Sequence, residues 1–160
     1  MGATKILSST IIGTSAMTLF SYLVSDAENR NYREPRVLGQ LIRRLPVNTS
    51  QKTSEIAGWS AHYAVGLLFV ALYNELWKRN KVKPTVASGA LIGAASGIVG
   101  VAGWDIVFNF HPNPPAKNLK KYYGHLILAH IVFGIFSAVT YQKIDHKKNK
   151  KRDEYLSGFS

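Results

Sequence analysis

The chain contains no cysteine. Disulfides, thiolate nucleophiles, zinc-thiolate centres, iron-sulfur clusters and covalently attached c-type haem are therefore excluded. Charge is missing too, though only locally. A content of 46% hydrophobic and 18% charged residues would suit an ordinary soluble protein. Yet no Asp, Glu, Lys or Arg falls within Ile6 to Ser25, Ile56 to Asn74, Pro84 to Trp104 or Tyr122 to Gln142. These windows hold 20, 19, 21 and 21 residues. At about 1.5 Å per helical residue each reaches about 30 Å, the thickness of a bilayer's hydrocarbon core. The helices of a soluble four-helix bundle would show a charged face every three or four residues, and these windows have none. What polarity they hold comes from Ser, Thr, Gly and His, the usual currency of helix contacts in lipid.

Catalytic signatures are also absent. The chain has no Gly-rich phosphate loop with its Lys and no G-x-S-x-G elbow, and the span serines have no His or Asp at a diagnostic spacing. Nothing here points to an enzyme.

The first window could be a secretory signal, because Ser25-Asp26-Ala27 offers small residues where a signal peptidase cleaves. Its apolar stretch is longer than a signal core and only Lys5 precedes it, so it is read as a span. Met1-Gly2 does not open a myristoylation motif, since Ile6 stands where Ser or Thr is needed.

The net charge of +11 would suggest nucleic acid if the bases were spread over a soluble surface. Here they sit in short links beside the spans, where they meet anionic lipid headgroups and set topology, so no nucleic-acid partner is expected. With four spans, the first residues, the Lys78 to Lys83 link and the tail "KIDHKKNKKR" share one side and carry 11 Lys or Arg, against 9 on the other. The count predicts cytoplasmic termini.

Two links have further content. In "PRVLGQLIRRLP", Val37, Leu38, Leu41, Ile42 and Leu45 recur at one-turn intervals, while Arg36, Gln40, Arg43 and Arg44 take the other face. Residues 35–46 are therefore expected to be a short amphipathic helix on the headgroups, although a helix docked on protein would have the same pattern. Trp59 and Trp104, each preceded by Ala-Gly, are expected to mark the same interface. The other link, "HPNPPAKNLKK", is a proline-punctuated turn in which His111 should be dispensable.

Packing signals are densest in the third window. Gly89, Gly93 and Gly97 form two overlapping G-x-x-x-G pairs, which let a neighbouring helix approach closely, within the chain or in a homodimer. The second and fourth windows share a longer pattern. "AHYAVGLLFVALY", Ala61 to Tyr73, and "AHIVFGIFSAVTY", Ala129 to Tyr141, both read A-H-x-x-x-G-x-x-x-x-x-x-Y. "IIGTSA" and "LIGAAS" relate the first and third windows more weakly. The sequence thus predicts an all-α integral membrane four-helix bundle made of two tandem hairpins, related by a pseudo-twofold along the membrane normal. One membrane domain, 1–145, is expected, with spans at about 6–25, 56–77, 84–109 and 122–142 and a basic cytoplasmic tail at 146–160.

His62 and His130 enter their spans from the same side, and Asp105 and Asn109 approach that side on one face of the third span, with His125 near the mouth. An ionisable group inside a span should face the bundle interior and have a partner. Three readings stay open. The histidines and Asp105 form a neutral interhelical hydrogen-bond network; or His62 and His130 ligate haem b, with Gly66 and Gly134 leaving room for the porphyrin; or the two histidines and Asp105 hold a divalent metal.

The His-x-x-x-Gly pattern at His62 and Gly66 with Tyr73, its counterpart at His130 and Gly134, and the proline-flanked amphipathic segment together resemble the small four-span inner-membrane proteins of bacteria whose function is unknown. The resemblance covers most of residues 6–142, and the Asp105 segment and basic tail lie outside its pattern. It implies a membrane-embedded helical bundle in a bacterial inner membrane and brings no activity with it. The expected role is a structural or interaction component with lipid, a second copy or another membrane protein as partner; the alternative is a haem or metal binder using His62 and His130.

Overall fold

The structure is a computed structural model that describes residues 2–79, 81–115 and 118–157. All regular structure in these residues is helical: α1 (Gly2–Ala27), α2 (Glu34–Arg43), α3 (Gln51–Lys78), α4 (Val86–Phe110) and α5 (Leu119–Ser157). Four of them, all except α2, are long and apolar enough to cross a membrane.

The helix ends follow local chemistry. In α1 the chain closes on Asn29, which adopts φ 52°, while the amide of Arg30 reaches back to the Ser25 carbonyl at 3.0 Å. This is a Schellman-type stop with Asn in the left-handed position that glycine usually fills. At the start of α3, Ser50 Oγ accepts from the Thr53 amide at 3.1 Å. The helix therefore begins five residues before the uncharged window, because charge limits a span but not the helix that carries it out of the lipid. For α4 the Thr85 and Ser88 side chains form a reciprocal capping box just after Pro84. The expected tail does not start a new element: α5 continues past the uncharged window to Ser157. Residues 158–160 of that tail, and 116 and 117 of the proline-rich turn, lie outside the described residues.

An apolar core of Val70, Tyr73, Trp77, Leu126 and Phe133 joins α3 to α5, but on α1 burial is inverted relative to a soluble bundle. On α1 the inward residues are Ser9, Thr10, Gly13, Thr14, Met17, Thr18, Ser21 and Ser25, while Leu7, Ile11, Leu19 and Leu23 are more than half exposed. On α3 and α4 likewise, Leu68, Leu72, Leu91 and Ile98 face outward. Small polar residues inside and large apolar ones outside is the arrangement of a multi-pass membrane protein, where lipid covers the apolar rim and small residues let backbones close.

The packing order is α4, α5, α1, α3, with α2 resting on α3. The glycines of α4 account for the tightest seam. A Cβ on Gly89 would lie 2.6 Å from the Gly134 carbonyl oxygen, and one on Gly93 would collide with the backbone of His130. The seam is thus within the chain. At the far end of α1, Lys5 pairs with Asp145 of α5 and lies over the Tyr141 ring at 5.0 Å. α3 and α4, although consecutive, do not pack along their lengths. Among the described residues, one hydrogen bond, from Tyr73 of α3 to Ser96 of α4 at 2.5 Å, spans the gap.

The α2 segment departs from expectation. Its apolar stripe is turned onto the protein: Val37 and Leu41 are buried. Gly39 lies against Gly58 of α3 so closely that a Cβ on Gly58 would strike the Gly39 backbone. Only the arginine face, with Arg36, Arg43 and Arg44, is exposed.

Candidate functional site

The gap between α3 and α4 forms a cavity of about 330 Å³. Leu68 and Phe69 line it from α3, Val99 and Trp104 from α4, and His62 and His130 border it together. Each histidine lies eleven residues past the first residue of its helix, 62 against 51 and 130 against 119, or about 16 Å along the axis. Gly100 makes room for one of them, because a Cβ there would come within 3.1 Å of His130 Nε2. At the α2 end the cavity is bounded by Glu34 and Leu38.

Hydrogen bonds fix the proton on each ring. Thr18 Oγ1 donates to the Thr14 carbonyl at 2.7 Å and so has no hydrogen left for His62 Nε2, 3.0 Å away. His62 Nε2–H is therefore the donor, and in the neutral ring Nδ1 keeps the lone pair. His130 has the opposite tautomer: Nδ1–H donates to the Leu126 carbonyl at 2.9 Å, leaving Nε2 as the acceptor beside Gly100. The two rings do not bond to each other. Both rings border one apolar space, and each keeps one nitrogen as an acceptor.

A second network lies nearer α2. Ser21 Oγ donates to Glu34 Oε1 at 2.7 Å, so it accepts from His125 Nε2 at 2.9 Å. His125 is stacked between Tyr32, 4.5 Å, and Phe20, 5.4 Å. Serine, histidine and a carboxylate are the residue types of a hydrolytic triad, but the wiring is wrong for one. The carboxylate sits on the serine rather than on the far ring nitrogen, and Ser21 and Glu34 are buried. The group instead ties α1, α2 and α5 together. Beside it, burial and then the hydrogen bond to Glu28 raise the pKa of the Tyr32 phenol.

Of the residues singled out in the sequence, His62 and His130 meet at the cavity and His125 joins the Glu34 network. Asp105 does not join them. It lies exposed on α4, where Oδ2 accepts from Asn109 at 3.1 Å and Oδ1 from the Tyr123 hydroxyl at 3.0 Å. The two-histidine, one-carboxylate set does not form through it, and among the described residues no three His, Asp or Glu side chains gather closely enough to hold a metal. The reason is axial: Asp105 lies five residues beyond Gly100 and bonds to Tyr123 near the start of α5, seven residues or about 10 Å before His130.

His111 is bonded at both ring nitrogens rather than loose in the turn. Its Nδ1 accepts from the Asn113 amide at 3.1 Å, which makes Nε2 the donor to the Leu41 carbonyl at 2.9 Å, clamping the last turn of α2. Gly66 faces Thr14 of α1 and Gly134 faces Gly89 and Gly93 of α4. Trp104 packs on Phe108 and Tyr122, and Trp59 is more exposed, beside Tyr22 and Tyr63. Two features escaped the sequence reading, Glu34 and the Ser/Thr stripe of α1. The stripe has a signal that was there to be read: its i, i+4 spacing, Ser9, Gly13, Met17, Ser21, Ser25. Glu34 had none, since a glutamate before proline in a charged link reads as solvated. Comparison with known protein families, with curated proteins and with solved structures finds no match for this chain.

Proposed function

We propose that this protein holds a lipid-soluble small molecule in the cavity between α3 and α4, with the molecule's apolar body against Leu68, Phe69 and Val99 and its polar group at the acceptor nitrogens of His62 and His130. The observation that carries this is the pairing of an apolar space, opening sideways between two spans, with two buried imidazoles whose donor sides are already used. A concave apolar pocket with a few convergent polar groups is the usual form of a small-molecule site. Placement in a bacterial inner membrane with both termini cytoplasmic rests on the resemblance and the charge count. So does the reading of α1 with α3, and α4 with α5, as two related hairpins.

The test is extraction of the detergent-purified protein with organic solvent and mass spectrometry of the extract. The expected result is one hydrophobic compound per chain, lost from Leu68→Trp, which fills the cavity from its rim, while the melting temperature holds. Retention unchanged in Leu68→Trp overturns the site. If wild type retains nothing, the protein is better read as a structural or interaction component.

A second reading has a specific observation in its favour. His130 donates Nδ1–H to a backbone carbonyl, the arrangement that orients a metal-bound imidazole. His62 and His130 are then the residues that would hold a haem or a metal. An optical spectrum of the purified protein decides, because a Soret band would replace the lipid-soluble ligand with haem.

A further inference from the structure

On the opposite side of α2 from the cavity, a hollow of about 490 Å³ is lined by Arg36, Gln40 and Arg43 of α2, Gln51 and Trp59 of α3, and Tyr22 of α1. Arg36, Gln40 and Arg43 follow at i, i+4 and i+7 and so share one helix face. That face is held in place from behind. The Gly39–Gly58 contact fixes α2 on α3, and His111 clamps its last turn.

The charges in the hollow are poorly neutralised. Arg33 pairs with Asp26, but among the described residues neither Arg36 nor Arg43 has a carboxylate at ion-pair distance. Arg36 lies over the Tyr22 ring at 5.5 Å, and Arg43 donates to the Gln51 side chain at 3.2 Å. The carboxylate that does border the hollow, Glu55, accepts from Gln51 Nε2 at 2.9 Å. Two guanidinium groups against one carboxylate leave the hollow positive.

We infer that this hollow binds the phosphodiester headgroup of one anionic phospholipid. Guanidinium forks match phosphate oxygens in pairs, which a lysine ammonium does not. The charge accounts for an anion, and the surroundings account for a lipid. Tyr22, Trp59 and Tyr63 form an aromatic group on the rim of the kind that sits at headgroup depth. On the same faces, one turn deeper, Leu19 follows from Tyr22 and Leu67 from Tyr63, and both are exposed. An acyl chain descending from the hollow would lie on them.

The experiment is native mass spectrometry of the full chain released from detergent after titration with phosphatidylglycerol or phosphatidylcholine. The result expected is one retained lipid, with about tenfold preference for phosphatidylglycerol. R36Q/R43Q should abolish the preference and R36K/R43K should leave part of it, whereas R44Q, outside the hollow, should keep it whole. All three side chains are exposed, and limited proteolysis of the 28–50 link reports whether α2 stays docked. Equal retention of the two lipids by wild type overturns the inference, as does a preference that survives R36Q/R43Q. Competition by inorganic phosphate as effective as by phosphatidylglycerol would make it an anion site without a lipid. Displacement by a short oligonucleotide at equal charge concentration would assign the arginines to nucleic acid and also overturn it.

Discussion

Residues 61–73 of α3 and 129–141 of α5 carry the same A-H-x-x-x-G-x-x-x-x-x-x-Y string, and the fold uses it twice with different neighbours. α5 is central: half of its apolar window is buried, against 28% for α3. The local consequences of the string are shared. Both histidines are buried with one nitrogen bonded, both glycines sit at a close approach, and both tyrosines donate to another helix, Tyr73 to Ser96 and Tyr141 to Asn74. What differs is what the string touches. Gly134 meets the α4 backbone, whereas Gly66 meets the Thr14 side chain. α1 therefore closes on α5, while α3 and α4 stay apart. A repeated sequence repeats its chemistry, while neighbours decide whether that chemistry becomes a seam or a cavity.

The largest expected effect tests the two hydroxyl relays on α1. Ser21 connects His125 to a carboxyl group, and Thr18 connects His62 to a carbonyl of its own helix. Ser21→Ala removes both bonds at once, leaving the His125 N–H without its acceptor and taking the donor from Glu34 Oε1, at a cost of about 3 kcal/mol. Thr18→Ala strands only the His62 N–H and should cost about 1 kcal/mol. Melting temperatures in one detergent measure both. Equal losses would mean that the Glu34 network is no more than a peripheral cap.

Next come the glycines. Gly134→Ala forces a methyl against backbone atoms of Gly89 and Gly93, which cannot rotate away. Overpacking of about 3 kcal/mol is offset by about 1 kcal/mol of helix propensity. Gly66→Ala meets the Thr14 hydroxyl oxygen, which can move only by a χ1 change of that buried side chain, so it should cost about 1 kcal/mol, less than Gly134→Ala. A Gly134→Ala protein as stable as wild type would show that α4 and α5 are not pressed together.

Much of this comparison was legible beforehand. The four spans follow from where charge is missing, and the close seam follows from glycine spacing. The cavity was half legible: the string placed His62 and His130 at one depth, but not the angle at which α3 and α4 part. Asp105 misled because being near the same interface did not put it level with the histidines: its partner is Tyr123, seven residues before His130 on α5. The apolar stripe of α2 was legible and the surface that Val37 and Leu41 meet was not, since such a stripe reads the same against lipid and against Gly58. Glu34 was out of reach because its partners, Ser21 and His125, are 13 and 91 residues away in the chain.

The histidine pair sharpens the comparison further. Because His62 and His130 bond to Thr18 and to Leu126 rather than to each other, His62→Ala and His130→Ala should each cost about 1 to 2 kcal/mol. In ligand-free protein the double variant should add within about 0.5 kcal/mol. Coupling that appears only when an extracted hydrophobic compound is returned would place that compound between the rings.

The smallest effect concerns the single bond across the open side. Ser96 Oγ gives its hydrogen to the Gly93 carbonyl at 2.9 Å, so Tyr73 is the donor in the 2.5 Å contact. Tyr73→Phe should cost only about 1 kcal/mol, and Tyr141→Phe about the same, since each removes one hydroxyl donor. Stability will not separate them, but geometry should. Tyr141 bonds α5 to a helix that is also held by α1, whereas Tyr73 provides the one hydrogen bond across the α3–α4 gap among the described residues. The chain has no cysteine of its own, so a pair introduced as Leu68→Cys and Val99→Cys, on opposite walls of the cavity, reports the gap through its crosslinking yield with bifunctional reagents of graded length. Adding Tyr73→Phe should shift the optimum toward longer reagents, and adding Tyr141→Phe should leave it in place. An unchanged optimum in both would mean that the cavity is kept open by the walls themselves, by Gly100 and the ring of His130 behind it, and that the tyrosine string contributes to the two halves of the bundle alike.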